Sequence, residues 1–457
     1  MEPNSQLDAL LDQSGMSRAG LASRINRLGG AAGITLRYDH TAVARWLKGQ
    51  RPRGRVPELI CEILGGKLER TLTLGDIGMG VPETVRVPGV LREPEEVGRA
   101  DGEVLGRFVE RAASLWRSDQ VHDDWPGPSM LTGAAAVAPV WEWENPPEDR
   151  DVSRRGEVEV TGADVTVLHA ARGHYEHLYR NAGGVATRAR VVGFLNGEVA
   201  PLLRGGYDDG TGRELFRAAG SLAAISGICA YDADAQGLAQ RYFHQALRLG
   251  KASGDLLFGG YVVALLVNQA LFLGDARHAI ACAEAVLRTA GPHASPALAT
   301  DLYAMQATAY ARLGDRRGAH TCMRWAEAYS ERIRREEEPE ETGYVQPGLV
   351  QVRLAETLLL LGEVEAATRY AREATRAPAH VRGRVNRLAT LTDVELLAGE
   401  PERAAAAAAE MVGTARGIES QRLRGRMRRV RRALVRHPGT SAAEAAKLIE
   451  DSLSVPF

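Results

Sequence analysis

Apolar positions recur along this chain at three- and four-residue intervals, the spacing of one buried face on an α-helix. Leu7, Leu10 and Leu11 form the first stripe, and Gly15 ends it. Ser17 stands where an N-cap would, ahead of Leu21, Ala22 and Ile25 on one face. Gly29, Gly30 and Gly33 then break the pattern. Asp39 reads as the N-cap of a helix over 40–48 that Gly49 ends. Pro57 opens a further helix carrying Leu59, Ile60, Ile63 and Leu64. Within 40–48 the spacing turns Val43 and Leu47 inward, with Trp46 flanking them. Thr41, Ala44, Arg45 and Lys48 form the outward stripe.

Residues 80–102 are rich in Pro, Gly and charge and read as a linker. One amphipathic helix is expected over 103–116. The stretch 118–155 holds Trp125, Trp141 and Trp143 among five prolines and reads as irregular segments. From Gly162 onward helices follow one another, with an internal repeat. Its turns are Gly274-Asp275, Gly314-Asp315, Gly362-Glu363 and Gly399-Glu400, with a weaker copy at Asp234-Ala235. After each turn comes an alanine: Ala239, Ala279, Ala319, Ala367 or Ala404. Seven residues further lie Ala246, Val286, Ala326, Ala374 and Met411. Gly227, Val267, Ala307, Ala355 and Thr392 precede the turns at one spacing. None of these is large except Met411. Antiparallel helices approach closely only where side chains are small, and each pair needs the next to cover its apolar face. This spacing resembles tetratricopeptide repeats, and covers about 215–416. The acidic run 336–341 between pairs reads as a solvated loop.

In such pairs the first helix lines the concave side. One line of positions there holds Tyr261, Asn268, Asp301, Thr308, Glu356, Asn386 and Asp393, with Leu349 as the apolar exception and Arg353 beside them. This polar ladder has two readings. It is a groove for a peptide or a partner protein, or it is polar because it faces water. The segment 416–436 carries nine arginines over the apolar stripe Leu423, Met427, Val430 and Leu434. It reads as a solenoid end-cap, or as a second contact for a polyanion.

Composition narrows the class. The chain has 457 residues, enough for two or three domains, and its 45% hydrophobic share holds only 5% aromatics. Lysine occurs only at Lys48, Lys67, Lys251 and Lys447, so nearly all basic residues are Arg. That bias points to a GC-rich, actinobacterial genome. Cys61, Cys229, Cys282 and Cys322 are scattered with no CxxC, as structural thiols in a reducing compartment would be. No signal-peptide run and no uninterrupted span of roughly 20 apolar residues is present, so a cytoplasmic protein away from membranes is expected. No phosphate-binding loop, nucleophile elbow or metal motif appears, so neither an enzyme nor a cofactor is expected. His169, His174 and His177 cluster on one helix without a ligand spacing, and read as structural.

The net charge is only −1, so basic character must be local. Residues 37–55 hold Arg37, Arg45, Lys48, Arg51, Arg53 and Arg55 against the single acid Asp39. Small residues on the outward stripe let a helix enter a major groove, where Arg45 can bond guanine through two donors. Arg51, Arg53 and Arg55 suit phosphates.

These residues resemble a known family. The segments 15–25 and 41–52 are similar to the two central helices of phage-repressor-type helix-turn-helix domains, the Cro and xenobiotic-response-element class. The resemblance implies that Arg18 starts the supporting helix near the DNA, and that His40, Thr41 and Arg45 reach base edges. The connecting turn, roughly 28–39, is longer than that family's, and its Arg37 and Tyr38 are candidate phosphate contacts. Head and repeats together resemble actinobacterial regulators of development and antibiotic production. The architecture also resembles the peptide-sensing regulators of Firmicutes.

The expected fold is therefore all-α. A helix-turn-helix domain spans 1–79, and a linker with an irregular connecting segment spans 80–160. A solenoid of tetratricopeptide-like repeats spans 161–436, and a tail spans 437–457. The expected function is sequence-specific binding of double-stranded DNA by a homodimer, with the repeats holding the dimer contact, an effector, or both. The competing expectation is an interaction scaffold whose head does not bind DNA.

Overall fold

The computed structural model describes residues 3–31, 36–50, 52, 56–68, 72, 74, 76–79, 101–121, 127–145 and 149–455. Among them every named element is helical, and extended pairing is limited to two isolated bridges, Arg154 with Tyr207 and Glu159 with Gly206. The fold is all-α. It divides into two compact units, a head within 1–89 and a body within 90–457.

The head holds α1 (Ser5–Ser14), α2 (Arg18–Ala31), α3 (His40–Leu47) and α4 (Val56–Leu68). Asn4 caps α1 by accepting from the Leu7 amide at 3.0 Å, and its Nδ2 donates to the Ile77 carbonyl at 2.9 Å. Gly15 closes α1 in the left-handed region, at φ 60°. Ser17 Oγ accepts from the Gly20 amide at 3.1 Å, as its reading as a cap requires. Gly29 and Gly30 do not break α2, which runs on to Ala31. Each helical glycine costs about 1 kcal/mol. The full burial of Leu21 and Ile25 on the same helix offsets that cost. The apolar face of α3 is also wider than expected: Trp46 is buried, and Leu47 only half-buried. The Trp46 ring meets Tyr38 edge-on, with centroids 5.2 Å apart.

The body opens with α5 (Asp101–Val121) and α6 (Ala134–Glu144). The stretch expected to be irregular thus contains the end of one helix and the whole of another. Pro139 lies inside α6 and removes an amide from its ladder, which is why the pattern there read as non-helical. Tertiary packing holds the helix instead. Trp143 is buried so close to Gly259 that a Cβ on that glycine would stand 2.0 Å from the indole nitrogen. Next come α7 (Gly162–Ala182), α8 (Gly184–Phe194), a π-turn over Leu195–Val199 and the short α9 (Ala200–Leu203).

Six antiparallel pairs follow. They are α10 (Asp209–Asp232) with α11 (Gln236–Ser253), α12 (Leu256–Leu273) with α13 (Ala276–Ala290), and α14 (Pro296–Arg312) with α15 (Arg316–Ser330). Then come α16 (Leu349–Leu360) with α17 (Val364–Arg376), α18 (Val381–Leu397) with α19 (Pro401–Ala415), and α20 (Gln421–Val435) with α21 (Thr440–Ser454). The turn glycines Gly274, Gly314, Gly362 and Gly399 all have φ between 76° and 88°, and the weak copy places Asp234 at 65°. The alanines after the turns, Ala239, Ala279, Ala319, Ala367 and Ala404, are each 0% exposed. At Gly227 a Cβ would meet the Phe243 ring at 2.6 Å. The repeat is thus a close-packing pattern, as its small residues required.

Two expectations change. Residues 437–457 were expected as a tail, but α21 packs on α19 and α20 and buries Ala442, Ala445, Ala446 and Ile449. The acidic run is not wholly solvated. Glu341 is buried and accepts from Arg217 and Ser221, while Glu338 accepts from the Ala297 amide. Helix α12 is long and apolar enough to cross a membrane, but 67% of it is buried as the core of a pair.

Ala319→Leu should destabilise the chain by about 1–3 kcal/mol through overpacking between α14 and α15, read in urea unfolding. The exposed Arg317→Leu, two residues away, should shift it by less than about 0.5 kcal/mol.

His244 is fully buried on α11, and neither ring nitrogen has a partner. Burial pushes it down to about 3, with Arg241 and His278 adding to the shift. Between pH 6.5 and 5 the unfolded chain takes up this proton and the folded chain does not. Stability should therefore fall on acidification by about 1 kcal/mol per pH unit. His244→Leu should remove that part of the slope, measured by thermal unfolding across this range.

Candidate DNA interface and central cavity

In the head the charges segregate by helix. Helices α2 and α3 and the turn between them carry Arg18, Arg24, Arg27, Arg37, Arg45 and Lys48, all exposed, and His40 is exposed with them. The acids Asp8, Asp12, Glu58 and Glu62 lie on α1 and α4. Asp39, the one acid among the basic residues, is spent as a cap. It accepts from the Thr41 and Ala42 amides at 3.1 and 3.0 Å, and from the Thr41 hydroxyl at 2.6 Å. These bonds, the Thr41 hydroxyl first, hold its carboxyl below the usual range.

The structure therefore places Arg18, His40, Thr41, Arg45 and Lys48 at the surface, with Thr41 already engaged in the cap. Tyr38 is half-buried against Trp46, so its ring helps to hold the turn. Arg51, Arg53 and Arg55 lie outside the described residues. Sequence reasoning missed Asn26. Its Nδ2 donates to the Tyr38 carbonyl at 2.8 Å and its Oδ1 accepts from the Tyr38 amide at 2.9 Å. This clamp fixes where the long turn re-enters α3. A polar residue beside buried Ile25 was the available signal. Arg24 and Arg27 were missed too: they lie on α2 beyond Arg18 and outside the basic run 37–55.

The body holds a solvent-open cavity of about 550 Å³. The first helices of the pairs line it, together with α7 and the segment holding Tyr344. Of the polar ladder, Tyr261, Asn268, Asp301, Arg353, Glu356 and Asn386 line the cavity, and so does Leu349. Thr308 does not: its buried hydroxyl bonds Thr357 at 2.9 Å and donates to the Ala304 carbonyl. Asp393 stands behind the lining, 3.7 Å from Arg429.

The ladder is bonded within itself. Asn268 donates to the Tyr231 hydroxyl at 2.9 Å, and the Tyr344 hydroxyl donates to Asp301 at 2.7 Å. Arg353 pairs with Asp301 at 2.7 Å, and Glu356 accepts from Thr390 and pairs with Arg426. Burial alone would raise Glu356, but Arg426 and Thr390 hold it below the usual range.

Two features were not foreseen. First, α20 is the inner helix of the last pair, so Arg422, Arg426, Arg429 and Arg432 line the cavity. Sequence alone left this basic segment as a cap or a polyanion contact. Second, the solenoid closes on itself. Asp232, fully buried at the end of α10, accepts from the Gly184 amide at 2.8 Å, from Ser420 Oγ at 2.7 Å and from Arg382. Arg382 also donates to the Tyr179 hydroxyl at 2.8 Å. The Glu419 amide donates to the Ala182 carbonyl at 2.7 Å, and the Val185 amide to the Glu419 carbonyl at 3.1 Å. Gly183 permits this approach: its φ is 90°, and a Cβ there would stand 2.3 Å from the Glu419 oxygen.

His169, His174 and His177 are exposed on α7, and no metal-holding cluster occurs among the described residues. The four cysteines are free thiols. Burial pushes Cys322 up to about 11 and Cys282 up to about 12, which suits packing rather than reactivity.

The head is similar to a known family. The family model described as SP15 N-terminal domain matches residues 7–80, which span the four head helices and none of the body. No curated protein matches the chain.

Asp232→Ala should cost about 3–5 kcal/mol, because it leaves the buried Arg382 without its carboxylate. Urea unfolding reads the loss, and proteolysis should begin between α8 and α10 or at residues 416–420. A loss under about 1 kcal/mol would mean that the clasp does not hold the arc closed.

Proposed function

We propose that this chain is a cytoplasmic, sequence-specific DNA-binding transcriptional regulator, dimeric on its operator, whose helical-pair body senses an effector. The observation that carries the reading is the exposed stripe of α3. Thr41, Arg45 and Lys48 face outward on a capped helix whose other side, through Val43 and Trp46, is locked into the head core. Arg18, Arg24, Arg27 and Arg37 surround that stripe with positive charge, and the acids sit on the other two helices. Such a surface suits phosphates on its flanks and base edges at its centre. The likeness to phage-repressor-type heads adds a docking mode. In it the α3 residues enter the major groove, and two heads read half-sites about one helical turn apart. The function is that of a regulator rather than an enzyme, and the cavity in the body is the place for an effector.

The test is selection of full-length protein on a random duplex pool, followed by binding titrations at several salt concentrations. Wild type should enrich a two-part motif and bind it with a steep inverse salt dependence. Arg45→Ala should cost about 1–3 kcal/mol on that motif and relax one position in each half. If no motif is enriched and random DNA is not bound, the head does not bind DNA and the body is an interaction scaffold.

A further inference from the structure

Arg429 and Arg432 reach the rim of the cavity as exposed side chains, Arg429 3.7 Å from Asp393 and Arg432 donating to the Arg428 carbonyl at 3.4 Å. The less exposed guanidinium groups of the lining are matched one by one, with an exception. Arg353 pairs with Asp301, Arg426 with Glu356, Arg180 with Glu176 and Arg382 with Asp232. Arg387 spends its donors on the carbonyls of Pro347, Ala374, Ala377 and Pro378. Among the described residues Arg422 has no hydrogen-bond acceptor. Its carbon centre sits 3.8 Å from the Tyr231 ring centroid and 3.9 Å from that of Phe272, and the two rings stand at 78° to each other, so the group is held in the corner between two aromatic rings. Its Nη1 is buried with no hydrogen bond. Burial, with Arg426 and Arg429 near by, pushes Arg422 down to about 9, while Tyr179 opposes the shift.

A cation largely withdrawn from water without a counterion is costly, and the aromatic contacts recover only part of that cost. The two rings hold the guanidinium in place, and its Nη1 is left to donate to a ligand. The wall beside it is apolar, made by Ile225, Ile228, Leu265 and Val352. A volume of about 550 Å³ lies within the range of small-molecule sites.

We propose that the cavity binds a small organic anion, a carboxylate, sulfonate or phosphate on an aromatic or aliphatic body, with the anion on Arg422 and the body on that apolar wall. The inference rests on the reading of the body as an effector domain and names its ligand class. The ladder is already bonded within itself, so an extended peptide backbone finds few free partners there. Arg422 supplies the unmatched charge. The ligand would touch α20 of the last pair and α10 and α12 of the first two, across the closure, and so would favour the closed arc. An effector acts only by such a preference.

The probe is 8-anilinonaphthalene-1-sulfonate, an anion on an aromatic body, titrated by fluorescence into full-length protein. Its neutral counterpart, N-phenyl-1-naphthylamine, is run in parallel. Wild type should bind the sulfonate saturably at one site, more tightly than the neutral amine, with a rise in melting temperature. Arg422→Met should weaken the sulfonate roughly 30-fold or more and leave the neutral amine unchanged. Arg422→Lys should retain part of the affinity. The exposed Arg428→Met, on the same helix but off the lining, should bind as wild type does. Equal affinity of Arg422→Met and wild type for the sulfonate, or equal binding of the two probes by wild type, overturns the proposal. Arg422→Met that melts well below wild type is replaced by Ile228→Glu, whose added charge beside the anion site should abolish sulfonate binding; undiminished binding there also overturns it. DNA affinity is measured with and without the sulfonate. Loss of binding in Arg422→Met with DNA affinity unmoved upholds the site and counts against the effector reading alone.

Discussion

Asp232 is the residue on which the shape of the body depends. A stack of helical pairs is held by neighbour contacts and would otherwise end as an open arc. Here the carboxylate at the end of α10 gathers the Gly184 amide, the Ser420 hydroxyl and the Arg382 guanidinium, all away from water. A buried charge tolerates such a place only when it is paired and fully hydrogen-bonded. Three donors from three different stretches of chain meet that demand. Closure follows, and with it a cavity bounded by the first and last pairs.

Closure also decides the chemistry of the cavity. The inner helix of the last pair, α20, brings arginines opposite the Glu356 carboxylate of α16 and the tyrosines of α7, α10 and α12. Most of these charges cancel in pairs. The pairs are worth less as stabilisers than as constraints, since breaking one strands its partner without solvent. The internal bonding of Asn268, Asp301 and Glu356 is thus part of the wall's rigidity, and Arg422, clamped by two rings, is what the wall leaves available.

The head works by the opposite economy of burial. Its core holds Leu21, Ile25, Val43 and Ile60 at 0% exposure, while the basic residues of α2, α3 and their turn stay on the surface. Asn26 fixes the turn through the backbone of Tyr38, and Asp39 both starts α3 and avoids standing as a free negative charge on the basic face. A rigid helix with a solvated basic stripe can bind a polyanion without first breaking internal bonds.

The repeat was legible from sequence because close helix packing dictates residue size at fixed spacing: Ala279, Ala319 and Ala367 announce their burial by being small where neighbours are large. Caps were legible for the same local reason, as at Ser17 and Asp39. The surface stripe of α3 followed from period alone. Helix α6 was not legible, since Pro139 argues against a helix that only the packing of Trp143 beside Gly259 sustains. Nor was α21, whose small residues carry little hydrophobic signal. Of the ladder, Tyr261, Asn268, Asp301, Glu356 and Asn386 line the cavity while Thr308 and Asp393 do not, because helix rotation within a pair is set by neighbours. The sequence by itself determined the helices of the turn-marked repeat, their pairing and the charge on α3, all of which depend on residues close along the chain. Only the tertiary structure decided that the arc closes through Asp232, that Arg422 faces inward between Tyr231 and Phe272, and which charges cancel. These depend on groups far apart in the chain, as Ser420 is 188 residues from Asp232, and local pattern carries no trace of a partner at that distance.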